Sequence, residues 1–449
     1  MKAQKYLLCI LLLSLISSCT DVEDLGRPDI DDGNTTAVST FGGSNNDSAQ
    51  SVVATTDGGY AILGFTQSKD GNITDKQDDS FDYWVIKFNV QHTIEWQKTY
   101  GGSDDDRGRE IIQTQDGGYA IVGTSASDDF DLTENNGSQD FWIAKLDALG
   151  NISWQKSFGF QGDDMGLAVI QTSDSGYLIT GVLDVTSSNG QGNTTRNTTR
   201  HAGGDYWAVK LDNSGNMQWT KYFGGNFTDT PEGVIETDNG DFMIAGGSDS
   251  IDTDISGNKG TYDFWVIRID SNGILVWEKS YGGTQTEEAR AMVKSADGNI
   301  IIAGETRSND VDVSGNNGAA DFWLIKISPD GNLLWQKTLG GSGFDVARGI
   351  SVTLDNGFLI TGSSRSNDGD VSENKGQNDI WVVKTDANAN IQWEISAGGS
   401  NIDFAYGITE LNDQSVVAVG DTTSDDLDIA ENKGFTDLFI LKINALFFI

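Results

Sequence analysis

Residues 290–341 read RAMVKSADGNIIIAGETRSNDVDVSGNNGAADFWLIKISPDGNLLWQKTLGG. Four apolar runs stand in this stretch: RAMVKS, IIIAGET, DFWLIKI and LLWQKTL. They are separated by ADGN, by RSNDVDVSGNNGAA and by SPDGN. Short runs rich in β-branched and aromatic residues, bounded by Gly, Asp and Asn, read as strands joined by turns. DFWLIKI is apolar at both alternating sets of positions, so this strand must be covered on both faces.

The same unit recurs along the chain. The motif Asp-aromatic-Trp places Trp84, Trp142, Trp207, Trp265, Trp323 and Trp381, with Phe439 in the seventh position, at steps of 58, 65, 58, 58, 58 and 58 residues. The long step carries an insertion between Ser187 and Gly204. A second series, Trp96, Trp154, Trp219, Trp277, Trp335 and Trp393, follows the first by 12 residues, and the two series hold all 12 Trp. Seven units of four antiparallel strands predict an all-β, seven-bladed β-propeller, because stacked blades cover both faces of every sheet. The Trp residues are expected between blades. The seventh unit lacks a fourth strand, whereas TAVSTFGGS near the N-terminus ends like one. That segment is therefore expected to enter the last blade and close the ring, removing a free sheet edge.

The N-terminus carries two lysines, the apolar run YLLCILLLSLI and then Ile16–Cys19, ISSC. This pattern resembles the lipobox of bacterial lipoproteins. The resemblance implies a signal peptide over residues 1–18, a lipidated Cys19, an acidic flexible tether over residues 19–35, and the propeller over residues 36–449. The implied location is the outer membrane, at the cell surface, with the lipid as the membrane anchor. Cleavage removes Cys9, so neither a disulfide nor thiol chemistry is expected.

The run Gly-Gly-Ser-x-x-Asp-x-Ala at Gly42–Ala49, then DGGY with AILG, then DYWVIK, resembles the bacterial SBBP repeat, a seven-bladed β-propeller family. The similarity spans about residues 36–449 and implies fold rather than activity, since that family shares no common catalytic site. LDNSGNMQW and IDSNGILVW also resemble the Trp-bearing repeats of quinoprotein propellers and of a propeller lipoprotein of outer-membrane assembly.

The formal net charge of −38 argues against nucleic acid as a partner, because phosphate binders cluster Lys and Arg. Most of this charge reads as a solvated surface, with cation binding as the sharper alternative. Seven acids recur five residues after the first Gly of each closing turn: Asp47, Asp106, Asp164, Asp229, Glu287, Asp345 and Asp403. They are expected to ring one mouth of the channel, or to satisfy backbone N–H groups in their turns. The second-to-third loops carry calcium-like spacing on the same face. In unit five the candidate ligands are Asp310, Asp312, Ser314 and Asn316; in unit four, Asp252, Asp254, Ser256 and Asn258. Asp368 and Asp370 repeat the first two positions in unit six. Positions 1, 3, 5, 6 and 12 follow an EF-hand loop, except that Asp replaces the final Glu and the flanks are strands. Calcium is the candidate cofactor, against the alternative of plain polar turns.

His92 and His201 are the chain's two histidines and sit in no catalytic motif, so each reads as a surface residue. Seven equivalent carboxylates offer no asymmetric pair for glycoside hydrolysis. The favoured function is a non-catalytic, monomeric binding or scaffold module for a protein or polysaccharide. The alternatives are a quinoprotein-like or glycan-active enzyme and an outer-membrane assembly factor. A pocket whose polar residues differ from their six equivalents points to an enzyme, a uniform face to binding. The insertion with Arg196, Arg200 and His201 is a candidate binding loop, or a tolerated disordered one.

Overall fold

A computed structural model describes residues 36–76, 78–193 and 201–444. The described residues form 28 strands, β1 to β28 in chain order, in seven four-stranded sheets, and none lies in a helix. No described helix is long and apolar enough to cross a membrane. Blade one shows the plan: β2 (Asp47–Ala54), β3 (Tyr60–Thr66), β4 (Asp82–Phe88) and β5 (Ile94–Tyr100) pair antiparallel in that order. The first strands of neighbouring blades touch one another all round the ring, so they are innermost and line a central channel.

The last blade is ordered β1 (Thr36–Phe41), β28 (Asp437–Ile443), β27 (Val416–Thr422), β26 (Asp403–Glu410). Thr36 faces Ile443 and Phe41 faces Leu438 in an unbroken antiparallel register. The N-terminal strand thus supplies the fourth strand that the seventh unit lacks. The proposed signal peptide, Cys19 and tether, residues 1–35, lie outside the described residues.

The third strands are buried on both faces, as their composition requires. Trp84, Trp142, Trp207, Trp265, Trp323 and Trp381 are the largest fully buried side chains. Each packs at a blade interface. The aromatic residue preceding one Trp meets the Trp of the next blade: Phe264 lies 4.6 Å from Trp323, and Phe322 4.6 Å from Trp381. Buried indoles also need a partner for their N–H. Most find it on the neighbouring fourth strand, as Trp323 Nε1 does on Gln336 at 2.9 Å and Trp381 Nε1 on Glu394 at 2.9 Å. The second Trp series is only partly buried and covers the outer edge of these clusters. Emptying one inter-blade Trp site costs about 3–5 kcal/mol.

Candidate functional site

The Gly-Gly turns and the second-to-third loops share one end of the propeller, termed the loop face. The two meet through hydrogen bonds. In unit five, Asp310 accepts from Thr284 N at 2.9 Å and Thr284 Oγ1 at 2.7 Å. Asp312 accepts from Gly282 N at 3.2 Å and Lys259 Nζ at 2.8 Å. Ser342 N and Gly340 N donate likewise to Asp368 and Asp370, at 2.7 and 3.1 Å, and Asn226 N and Gly224 N to Asp252 and Asp254, at 3.1 and 3.4 Å. The Asp-x-Asp pair, replaced in unit one by Asp70-Gly71-Asn72 and missing from unit three, is therefore a clamp on the turn that begins its blade.

This arrangement does not fit a calcium loop. Ser314 accepts from Gln336 at 2.6 Å, and Ser256 bonds Glu278. Asn316 directs its amide N–H to Thr306 O at 3.3 Å and its oxygen to Gly318 N at 3.0 Å; Asn258 donates to Ser248 O at 3.1 Å. The oxygens face separate protein partners, and among the described residues no group of three or more His, Cys, Asp or Glu is placed to hold a metal.

The seven acids expected at the channel mouth begin or immediately precede the innermost strands, but all seven are fully buried. Asp345 is typical. It accepts from Gly341 N at 2.8 Å, Ser364 Oγ at 2.5 Å and Ser366 Oγ at 2.7 Å. Asp47, Asp106, Asp229, Glu287 and Asp403 repeat the bond to the second Gly of their turns at 2.7–2.8 Å, and Asp164 accepts from Phe160 N at 2.7 Å. They are anchors inside the wall rather than an open ring of charge. The correction follows from their chemistry: a short carboxylate beside a tight turn finds N–H and O–H donors before it finds solvent.

A second acid faces each anchor. A Cβ on Gly340 would lie 2.7 Å from Asp345 Oδ2 and 2.8 Å from Asp321 Oδ1, so the two carboxylates crowd one glycine. Asp321 Oδ1 is buried without a hydrogen-bond partner, as are Asp140, Asp205, Asp263, Asp379 and Asp437 Oδ1. Burial pushes Asp321 up to about 6, and the neighbouring Asp345 adds to the shift. Asp263 and Asp379 reach about 6 and Asp82 about 7, again chiefly by burial.

His201 is buried, contrary to the surface position expected. Its Nδ1 lies 2.5 Å from Asp205 Oδ2, four residues on. It thereby occupies the position that Lys259, Lys375 and Lys433 hold before Asp263, Asp379 and Asp437. His92 is half-buried on Tyr60, 5.7 Å between rings, in a left-handed turn. Arg196 and Arg200 of the insertion lie outside the described residues.

Two features were not foreseen. The first is at the tips of the Asp-x-Asp clamps. The central residue has a positive φ in six units: Gly71 at 64°, Phe130 at 52°, Thr253 at 60°, Val311 at 58°, Gly369 at 68° and Leu427 at 58°. Phe130, Val311 and Leu427 are 80, 64 and 66% exposed. Elsewhere, left-handed turns carry smaller or polar residues such as Ser175, Asn356 and Gln414.

The second is the channel. Every innermost strand has a register shift at the same place. The extra residue there is Gln50, Arg109, Leu167, Glu232, Arg290, Arg348 or Tyr406, and all seven line one cavity of about 420 Å³. The position before it is small or Pro in every blade, whereas this one holds five residue types, Arg in three blades. Burial pushes Glu232 and Glu110, in the same cavity, up to about 7.

No family model matches the chain. A WD repeat-containing protein of Acanthamoeba polyphaga mimivirus is 25% identical over 199 residues, 36% of this chain and 14% of that protein. The regulatory protein FlaEY of Caulobacter vibrioides is 24% identical over 153 residues, 32% of this chain and 16% of its own length. The chain thus spans about a sixth or less of these relatives. Among solved structures, a puromycin hydrolase S511A mutant complexed with PGG matches with a TM-score of 0.48 at 11% identity, over 84% of this chain and 51% of its own. YCF48 bound to D1 peptide matches with a TM-score of 0.45 at 9% identity, over 95% and 99%.

Proposed function

We propose that this chain is a non-catalytic binding propeller that docks a protein partner on its loop face and is held at a bacterial surface by a lipid on Cys19. The observation that carries the reading is the set of bulky residues at the clamp tips. Phe130, Val311 and Leu427 adopt a backbone conformation that disfavours them, and they expose their side chains. A left-handed conformation costs a non-glycine residue about 1–2 kcal/mol. Two units use Gly at the same position, so the fold does not need the side chain. Exposed apolar side chains on a strained, repeated frame suit insertion into pockets of a partner. Ile251 and Phe435, 70 and 73% exposed, add to the same loops. Asp310, Asp368 and Asp426 stand exposed beside the tips, so the partner's rim is basic.

Strand polarity supports the orientation. Fourth strands end at the loop face, so β1 begins at the opposite end, and a tether joined to Thr36 would not need to cross the loop face. The resemblance of the repeats to the SBBP pattern and of ISSC to a lipobox agrees with this setting.

The test compares wild type with the triple variant F130G, V311G and L427G in cross-linking and pull-down from membranes. A partner held by wild type and lost by a variant of undiminished melting temperature supports docking. Equal capture by both overturns it, and capture of a polysaccharide instead reassigns the ligand. Separately, Cys19→Ser should release the protein from the membrane fraction; retention there removes the lipid anchor. One observation favours a second reading, a channel-based enzyme: the ring holds five residue types and includes Glu232. Turnover abolished by E232Q, with capture intact, would select it.

A further inference from the structure

We propose that the central channel binds a small organic carboxylate with an apolar body, held between Arg109 and Arg348. This site is separate from the loop face and does not rest on the docking reading.

The register shift in each innermost strand turns one extra side chain into the channel. Six of the seven residues there are polar or charged, and three are arginines, in a chain with 67 acids and 29 bases. In such a chain an arginine ordinarily finds a carboxylate. Arg290 does: Glu305 lies at 3.0 Å, Glu232 at 3.7 Å, and Glu288 also contacts it. Among the described residues Arg109 and Arg348 make no close ion pair; Arg109 acts on Glu232, and Arg348 on Asp421 and Glu305, only from farther away. Arg109 donates to the neutral Gln50 Oε1 at 3.1 Å. Arg348 lies over Phe404 and Tyr406, 5.2 and 5.5 Å from their ring centres, and its Nε is buried with no hydrogen-bond partner. Asp421 accepts from Ser48 Oγ at 2.8 Å and bonds Tyr406.

Arg109 and Arg348 belong to blades two and six, three blades apart, and so stand across the channel from one another. Arg109 reaches Gln50 in blade one, and Arg348 lies over Tyr406 in blade seven. Both guanidinium groups act on the Tyr406 phenol, which burial nonetheless keeps protonated. Blades three to five hold Leu167, Glu232 and Arg290, the last shared among Glu232, Glu288 and Glu305. A ligand in this cavity therefore lies between two guanidinium groups, with Leu167, Val234 and Met292 along one wall and Glu110 and Glu232 also in the lining. An ionised carboxylate would supply an acceptor for the N–H groups of the Arg109 and Arg348 guanidinium groups, whose fork matches its two oxygens. A cavity of about 420 Å³ admits a body of benzoate or hexanoate size.

The test uses the full mature chain and calorimetry with benzoate and hexanoate, their amides benzamide and hexanamide, and inorganic phosphate. At least one carboxylate should bind saturably and its amide at least about tenfold more weakly. R109Q and R348Q should each weaken binding about tenfold or more, since a charge-assisted hydrogen bond of this kind contributes on the order of 1.5–3 kcal/mol. Melting curves without ligand establish that both variants fold, and R365Q on the loop face should bind as wild type does. Equal binding of acid and amide, unchanged binding in both arginine variants, no binding of either carboxylate, or tighter binding of phosphate each overturns the proposal.

Discussion

Replacing Asp321 by Asn should make the protein more stable at pH 8 and leave its stability unchanged near pH 4. Asp321 is fully buried, its Oδ1 lacks a partner, and Asp345 crowds the same glycine. Its carboxyl is raised from an ordinary value of 3.8 to about 6. The folded state therefore holds a proton that the unfolded chain has released between these values. Stability falls as pH rises through that window and stays low above it. A shift of about two units corresponds to about 3 kcal/mol, an upper figure because crowded carboxyls relax and admit water. Asn keeps the bond from Asn317 N, made at 2.9 Å in wild type, and presents an N–H where Asp321 presented an unpaired oxygen. The expected gain is about 1–3 kcal/mol at pH 8, shrinking to nothing by pH 4. Urea unfolding of both proteins from pH 4 to pH 8 measures it. A destabilised variant at pH 8, or a difference independent of pH, would refute the reasoning.

Three further outcomes follow from the geometry. Each of F130G, V311G and L427G should raise stability by about 0.5–1 kcal/mol in denaturant unfolding, because relief of left-handed strain exceeds the entropy of an added glycine; a loss would show that the tips are not strained. Deleting residues 36–41 removes the outer strand of the last blade, and should lower the melting temperature and promote aggregation through the exposed edge of β28; an unchanged melt contradicts closure. The double variant D310N and D312N should lose stability equally in millimolar calcium and in chelator, because its lost partners are Thr284, Gly282 and Lys259; a loss confined to calcium would restore the metal reading.

The blades, their strands and the ring closure were legible because each rests on repetition. A 58-residue Trp period and four apolar runs per unit admit few architectures. The clamps were located, but not the bonds they make. Asp, Asn and Ser at alternating positions suit a hard cation and backbone amides equally, and only geometry shows that Thr284 and Gly282 provide the donors. His201 was hidden by the insertion before it. Counting back four residues from the Asp of each third strand aligns it with Lys259, Lys375 and Lys433. The channel ring escaped for the opposite reason. Comparison of repeats looks for sameness, whereas the third residue after each anchor acid is where the units disagree. The signal was present in Gln50, Arg109, Leu167, Glu232, Arg290, Arg348 and Tyr406.

Pairing of β1 with β28 also sets a clock. About 400 residues separate Phe41 from Asp437, so the strand made first waits for the strand made last. At common rates of synthesis that wait is on the order of 20–80 s. Blades one to six need no segment from either end and have the means to assemble in order while the chain is still growing. Throughout that interval the nascent arc keeps two raw ends, and only β28 shuts them. A chain truncated shortly before Asp437 is thus an open arc with its N-terminal strand unclaimed, a form suited to recognition by chaperones and proteases.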